Sequence, residues 1–454
     1  MALALALPSG EEIVSPYTKF QIETASNGDH GFVHIRCCYN NKYLVAKSIS
    51  DDSYIIAGAD EPNEDQSQLS CTLFEPIQID GEGGTGSSST TTTAARFRHV
   101  QLGQYLTYPV TNNMAYKACL VAESSSTNSE GLDVFSIMDW ESLLILPKYV
   151  AFKGDNGLYL KGHWISGHKH QYLEFSCSDN GDESVGNEVF FTKDGSVRIR
   201  NNHFDRFWRR NTDWIWADTY DTTSNDLNTL FQPVKVGDNI VALRNLGNNR
   251  FCTRLTADGK TNCLNAASTT ISKETRMVVE ELIISREIYN VNFRPLDARI
   301  YNQNIIVLAT QPATNSTEET HTSTLNLTYT DTKSRTWNGS VSLKLGVEIS
   351  IDSGIPLIEE GKIVVTTEFT GSYEWGETVS TETQVESNYT VPVPPMTKVT
   401  VSLLATQGSC DVPFSYTQRD TLMNGEKLIQ NLDDGVYTGV NCFNFYYDTK
   451  EEPL

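Results

Sequence analysis

The stretch GSVRIRNNHFDRFWRRNTDWIWA, residues 195–217, has a counterpart earlier in the same chain, GFVHIRCCYNNKYLVAKSISDDSYIIA, residues 31–57. Laid over one another, Phe207 and Trp208 meet Tyr43 and Leu44, and WIWA at 214–217 meets YIIA at 54–57. TLFQPV at 229–234 then follows as TLFEPI does at 72–77. Order and spacing persist over more than forty residues, which marks a duplicated domain. Within each copy, apolar residues alternate with polar ones and Gly, Asn or Asp turns recur about every ten residues. That pattern predicts an all-β barrel or sandwich.

Working outward, GDNGLYLKG (154–162), DGSVRIRNNHFDRFWRR (194–210) and NIVALRNLGNNRFCTRL (239–255) are weaker echoes of one another. Each holds a strand, a polar turn and an aromatic strand, and three such units per copy predict a β-trefoil. The copies span residues 1–145 and 146–289. The first begins with MALALALP, read here as a frayed start, so it is expected to lack roughly two strands and to leave a costly unpaired sheet edge. The run GEGGTGSSSTTTTAA (81–95) reads as a flexible surface loop.

From about residue 290 the strands become long, amphipathic and rich in Thr and Ser, and residues 290–454 form a separate β domain. In SVSLKLGVEIS (340–350) and the residue after it, Val341, Leu343, Leu345, Val347, Ile349 and Ile351 share one face. Lys344 and Glu348 lie on the other. Eleven residues from Val341 to Ile351 agree with the roughly 9–11 that a tilted strand needs to cross hydrocarbon. Ile355, Leu357 and Ile358 would make an apolar tip, with Ile363, Val365 and Phe369 on one face of the returning strand. Two readings stand: a stored hairpin able to enter a bilayer with one side to lipid and the other to water, or an amphipathic hairpin covering the module's own core.

At VSPYTKF (14–20), VHIRCCYNNKYLVA (33–46), IIAGADEPNEDQS (55–67) and SCTLFEPI (70–77) the chain resembles the amaranthin lectins of plants. The likeness covers about the first 290 residues, and residues 290–454 resemble the pore-forming module of aerolysin-type proteins. The resemblance implies two tandem β-trefoil lectin domains followed by an elongated antiparallel β module. It also implies binding of Gal-β1,3-GalNAc or related glycans in a head-to-tail dimer, with homo-oligomers and glycosylated membranes as partners on activation. Carried over by motif, Asn40, Asn41 and Tyr43 become sugar contacts in the first copy. Leu44 stands where the family has an aromatic residue, which removes a stacking surface. In the second copy the candidates are Trp208, Trp214 and Trp216 with Asn201, Asn202 and Asp205, because sugar C–H faces pack on rings while hydroxyls pair with amides and carboxylates. Trp214 and Trp216 read equally well as core, and Trp208 is the preferred contact.

Composition bounds the remaining possibilities. A net charge of -22 opposes nucleic acid and anionic lipid, whose binding depends on Lys and Arg displacing counterions, so a membrane has to be reached through uncharged groups such as glycans. Nine cysteines, an odd number, fit reduced thiols in the cytosol or nucleus. Cys410 and Cys442 are read as buried thiols, and membrane association is expected only on activation. Sequons occur at Asn315, Asn326, Asn338 and Asn388. Neither His163, His168 and His170 nor His30, His34, Cys37 and Cys38 have the paired spacing of a zinc site. The carboxylates of DEPNED (60–65) show no catalytic arrangement. Neither a cofactor nor a metal is expected, and enzyme activity is not.

Overall fold

The computed structural model describes residues 2–6, 13–26, 31–49, 52–79, 93–108, 120–128, 131–140, 143–220, 226–339, 343, 349–366, 369–373 and 375–454. Among them the fold is all-β, with only three-residue 3-10 turns besides strands. No helix is long and apolar enough to cross a membrane. The chain divides into two compact units. The first holds residues 1–285 with 340–347 and 420–428, and the second holds the rest.

The first unit contains two curled sheets of ten and twelve strands. In the twelve-stranded sheet, Tyr149–Lys153, Asn187–Phe191, Val197–Asn201, Phe231–Lys235, Ile240–Asn245 and Met277–Glu281 pair in succession, and the last pairs back with the first. This is a closed six-stranded ring. The hairpins Tyr159–Trp164/Gln171–Cys177, Arg206–Asn211/Trp214–Thr219 and Arg250–Ala257/Lys260–Ser268 pair with one another beside it. Alternation explains the arrangement, since Val197 and Ile199 point into the core while Arg198 and Arg200 stay at the surface side. Phe152, Phe175, Phe231, Val241 and Leu243 fill the interior around Trp208.

The ten-stranded sheet repeats this plan with one hairpin fewer. Its ring runs Ala2–Ala6, Lys19–Thr24, Val33–Cys37, Leu73–Ile79, Thr93–His99 and Phe135–Asp139, and the last strand pairs with the first. Ala2–Ala6 therefore corrects the reading of a frayed start, because it supplies the closing strand. Two hairpins accompany this ring, Tyr43–Ile49/Asp52–Ala59 and Gln104–Thr107/Leu120–Ser124. What is lacking among the described residues is the first hairpin, not the ring strands, so the expected open edge does not occur.

His99 is fully buried in the first ring. Its Nε2 stands 3.1 Å from the Cys71 carbonyl, its Nδ1 accepts from the Leu102 N–H at 3.3 Å, and Phe74 packs edge-on at 5.1 Å. Burial lowers its pKa below the usual 6.5, so the folded ring holds the neutral form. An unfolded histidine takes up a proton as pH falls through about 6.5. The stability tied to His99 is therefore complete above that value and is lost as pH falls towards the lowered folded value. The expected result is a urea midpoint for this domain that declines between about pH 7.5 and pH 5.5, with the decline flattened in His99→Gln. A parallel decline in both proteins would assign it to other groups.

The second unit is built on an eight-stranded sheet with the order Phe369–Tyr373, Ile349–Ser353, Ile283–Phe293, Thr397–Leu422, Lys427–Pro453, His321–Asn338 and Thr378–Val393, while Arg299–Asn315 also pairs with Thr397–Leu422. Ile349–Ser353 lies parallel to Ile283–Phe293 and antiparallel to Phe369–Tyr373. Pro356–Glu359 and Lys362–Val365 continue that hairpin and close it at Glu360 and Gly361, both at positive φ (49° and 76°). Two consecutive positive φ values make the tight turn whose twist suits a two-residue hairpin.

The hairpin thus differs from the expected span. The described first strand begins at Ile349, and Val341, Leu345 and Val347 lie outside the described residues. Leu343 is buried in the core around Trp208 and is not itself in a strand. Ile355 and Leu357 do not form an apolar tip, because the turn falls at Glu360-Gly361 and is charged. Ile349, Ile351 and Ile358 are buried with Trp337, Phe414 and Tyr437, and Ile355 and Ile363 pack partly against them. Val365 remains exposed, and Phe369 opens the strand paired with Ser353.

Candidate functional site

A saccharide site needs polar atoms whose hydrogen-bonding capacity is not already used by the fold. That requirement separates the candidates. Asn40 donates to the Ala57 carbonyl at 3.0 Å and accepts from the Lys42 N–H at 3.2 Å. Asn156 makes the same two bonds to Phe175 and Leu158, and Asn248 makes them to Ala266 and Arg250. Three repetitions show a turn-closing asparagine. Asn41 sits at φ 55° and accepts from Arg36 at 2.6 Å, as Gly157 and Asn249 occupy the same left-handed position. The Tyr43 ring is buried and its hydroxyl donates to Glu23 at 2.7 Å. These bonds give all three residues structural roles in the first copy.

In the second copy Trp208 is also corrected. A register shift between Phe207 and Trp208 turns its indole into the ring, where it is 0% exposed and its Nε1 donates to Asn187 at 3.2 Å. The same shift lies between Tyr43 and Leu44, and Leu44 is buried too, so this position is core in both copies. The absence of an aromatic at Leu44 removes no surface. Trp214 and Trp216 form a satellite core with Tyr172 and Cys263. His170 stacks on Trp216 at 3.6 Å and Lys260 lies 4.7 Å over Trp214, so their faces are covered. Asp205, at φ 52°, is exposed and accepts from Arg200 at 3.0 Å.

Asn201 and Asn202 remain, and they divide the work. Asn201 is buried and donates to the Ser184 and Gly186 carbonyls and to Asn187 at 3.3–3.4 Å, while accepting from the Phe204 N–H. It ties the loop 180–187 to the turn 201–205. Asn202, the next residue, lines a cleft of about 580 Å³ with Tyr149, Asn180, Asp182, Glu183, His203, Leu282 and others, including Leu422, Met423 and Asn424. Gly186 leaves it space, since a Cβ there would stand 3.0 Å from Asn202 Nδ2. Among the described residues the side chains of Asn202, His203, Glu183 and the Tyr149 hydroxyl make no hydrogen bond within the protein. Asn180 donates to Glu280 at 3.1 Å. The Ser184 hydroxyl and amide bond Asp182 Oδ1 and hold its carboxylate below the usual range.

An aromatic shelf adjoins the cleft. His203 packs on Phe204 with ring centroids 4.8 Å apart, and Phe204 meets Trp164 edge-on at 5.8 Å. Trp164 is 54% exposed, unlike the three tryptophans expected from sequence. Phe204 reaches this place over Gly162, where a Cβ would come within 2.7 Å of its ring. The exposed ring of Trp164 thus stands beside a cleft in which the Asn202 amide is unspent, the kind of combination that saccharides use. Its main elements lie far apart in sequence; GHWISGHKH and NNHF were the local signals, read for their histidines and asparagines and not for Trp164 and Phe204.

The described residues thus form an all-β protein with two homologous closed rings and a polar cleft on the second. The agglutinin-domain model matches residues 3–139 and again residues 144–284, more than half of the chain, and the protein belongs to the agglutinin-domain family. It is similar to Natterin-1 of Thalassophryne nattereri, 23% identical over 187 residues, covering 41% of this chain and 52% of the relative. Natterin-2 of the same fish is 28% identical over 131 residues, 29% of this chain and 34% of the relative. The chain thus spans about half and a third of the length of these relatives. Among solved structures, a lamprey immune protein aligns with 84% of this chain and 99% of its own at 13% identity and a TM-score of 0.30. An aerolysin-like protein of Bombina maxima aligns with 37% of this chain and 99% of its own, at 12% identity and a TM-score of 0.25.

Proposed function

We propose that this chain is a non-enzymatic lectin whose two rings are β-trefoils and whose second ring binds Gal/GalNAc-type glycans through the cleft at Asn202. The observation that carries the reading is the convergence of unspent amide, hydroxyl and imidazole groups beside the exposed Trp164 shelf. Glycan contact gathers copies on a glycosylated membrane, where multivalency compensates for weak single sites. The β module then oligomerises and inserts the hairpin Ile349–Tyr373. The soluble form is proposed to be nucleocytoplasmic. Cys71, Cys177, Cys252, Cys263, Cys410 and Cys442, which form no disulfide, support this, as does the sequon residue Asn315, whose buried amide donates to Glu319, Val393 and Pro394 and has no room for a glycan.

Dye release from liposomes carrying or lacking a Gal-β1,3-GalNAc glycolipid tests the whole reading: release is expected only from the sugar-bearing vesicles. A second reading, a glycan-binding protein whose β module serves assembly alone, is favoured by the burial of Ile349, Ile351 and Ile358 in that module's core. It predicts binding with intact vesicles. At the site itself, Asn202→Ala is expected to weaken disaccharide binding by about 0.5–1.5 kcal/mol, roughly 2- to 10-fold, the worth of one net hydrogen bond. Calorimetric titration measures it. An unchanged affinity would remove Asn202 from the site.

A further inference from the structure

The cleft has a wall formed by a short turn remote in sequence from the second ring. Leu422, Met423 and Asn424 line it together with Asn180, Asp182 and Asn202, and all of these belong to the first compact unit. The turn is well fixed: the Leu422 and Gly425 N–H groups donate to the Glu426 and Leu422 carbonyls at 2.8 Å, and Gly425 takes φ 83°. Asn424 Oδ1 accepts from the Glu426 N–H at 3.0 Å, which leaves the Asn424 Nδ2 donors unspent among the described residues. Met423 is 40% exposed at the cleft, an unbranched thioether that adapts its shape to what it covers. Its Cε lies 3.8 Å from where a Cβ on Gly181 would stand.

The charge of the lining narrows the ligand. Asp182 and Glu183 contribute carboxylates, and neither Lys nor Arg lines the cleft. An acidic sugar would meet like charge without a cationic partner, whereas a neutral one offers hydroxyls to the carboxylates and amides.

We propose that the turn Leu422–Glu426 is part of the saccharide site, with Met423 covering the apolar face of a neutral sugar and Asn424 donating to one of its hydroxyls. This rests on the glycan-binding reading above and adds to it a sensing element. The turn joins Thr397–Leu422 and Lys427–Pro453, strands of 26 and 27 residues and the longest among the described residues. A ligand in the cleft therefore touches Leu422, the last residue of the first of these strands, and the turn that leads to the second, and occupancy restrains that turn.

The test is titration of the full chain with galactose, N-acetylgalactosamine and sialic acid, on wild type, Met423→Ala and Asn424→Ala, together with amide hydrogen exchange of residues 420–428. The expected result is that wild type binds the neutral sugars and not sialic acid. Each variant should bind them about 3- to 10-fold more weakly with unchanged melting, and exchange in the turn should slow when sugar is present. Neutral sugars bound equally by all three proteins, with unaltered exchange at 420–428, would overturn the role of the turn while leaving the lectin reading intact. Failure of wild type to bind either neutral sugar overturns both.

Discussion

Trp208→Ala is expected to destabilise the second agglutinin domain by about 3–5 kcal/mol, the range for emptying a large aromatic site in a core. Its indole sits between Phe152 at 5.5 Å and Phe231 at 5.9 Å, and also satisfies the buried Asn187. The substitution therefore leaves a cavity and removes one of the two donors to Asn187 Oδ1, Asn201 supplying the other, a smaller second cost. Such a loss is a large part of the roughly 5–15 kcal/mol that holds a typical domain folded. Urea unfolding followed by far-UV circular dichroism measures it, and Leu44→Ala provides the matching experiment in the first domain, at about 2–5 kcal/mol. If Trp208→Ala kept the wild-type midpoint and lost saccharide binding instead, the indole would belong to the ligand surface and the core assignment would fail.

A disulfide between cysteines placed at Glu287 and Ser350 is expected to abolish dye release while sparing saccharide binding. These positions are paired neighbours where Ile349–Ser353 lies parallel to Ile283–Phe293, and that pairing holds the hairpin to the sheet. A hairpin that must leave the sheet to enter lipid cannot do so when tied there. Release should fall at least about tenfold in the oxidised double variant and return on reduction, since one trapped subunit prevents closure of a barrel that needs every edge paired. Undiminished release from the fully oxidised protein would show that Ile349–Tyr373 stays in place, and a different segment would then have to form the pore.

Much of this architecture was legible in the chain. The duplicated GSVRIR/GFVHIR units, the recurrent polar turns and the long Thr-rich strands after residue 290 all report local periodicity, and periodicity is what a sequence states most directly. What escaped reading depended on partners or on single-residue register. Ala2–Ala6 lacks the turn signals and β-branched residues that mark a strand, and its place is decided by Phe135–Asp139. The shift at Phe207/Trp208 reverses which aromatic faces inward, and alternation alone does not locate such a shift. Glu360-Gly361 closes a hairpin turn in which Asn-Gly is the usual signal, so Leu357 and Ile358 read as tip although they stand in a strand. Of the candidate sugar contacts, Asn202 alone lines the cleft. Its companions come from residues 149, 180, 203 and 423, a juxtaposition created only by folding.

The closure of the first ring has a consequence for how the protein is made. Ala2–Ala6 is synthesised before the other strands of its ring, yet one of its two neighbours, Phe135–Asp139, is the last strand of that ring to be made. The second ring repeats the situation, with Tyr149–Lys153 waiting for Met277–Glu281. Pairings of such long sequence separation form slowly, and a chain growing at about 5–20 residues per second leaves the early strand without its second neighbour for many seconds. Each domain therefore passes through a period of its synthesis in which one edge of its earliest ring strand lacks its native partner.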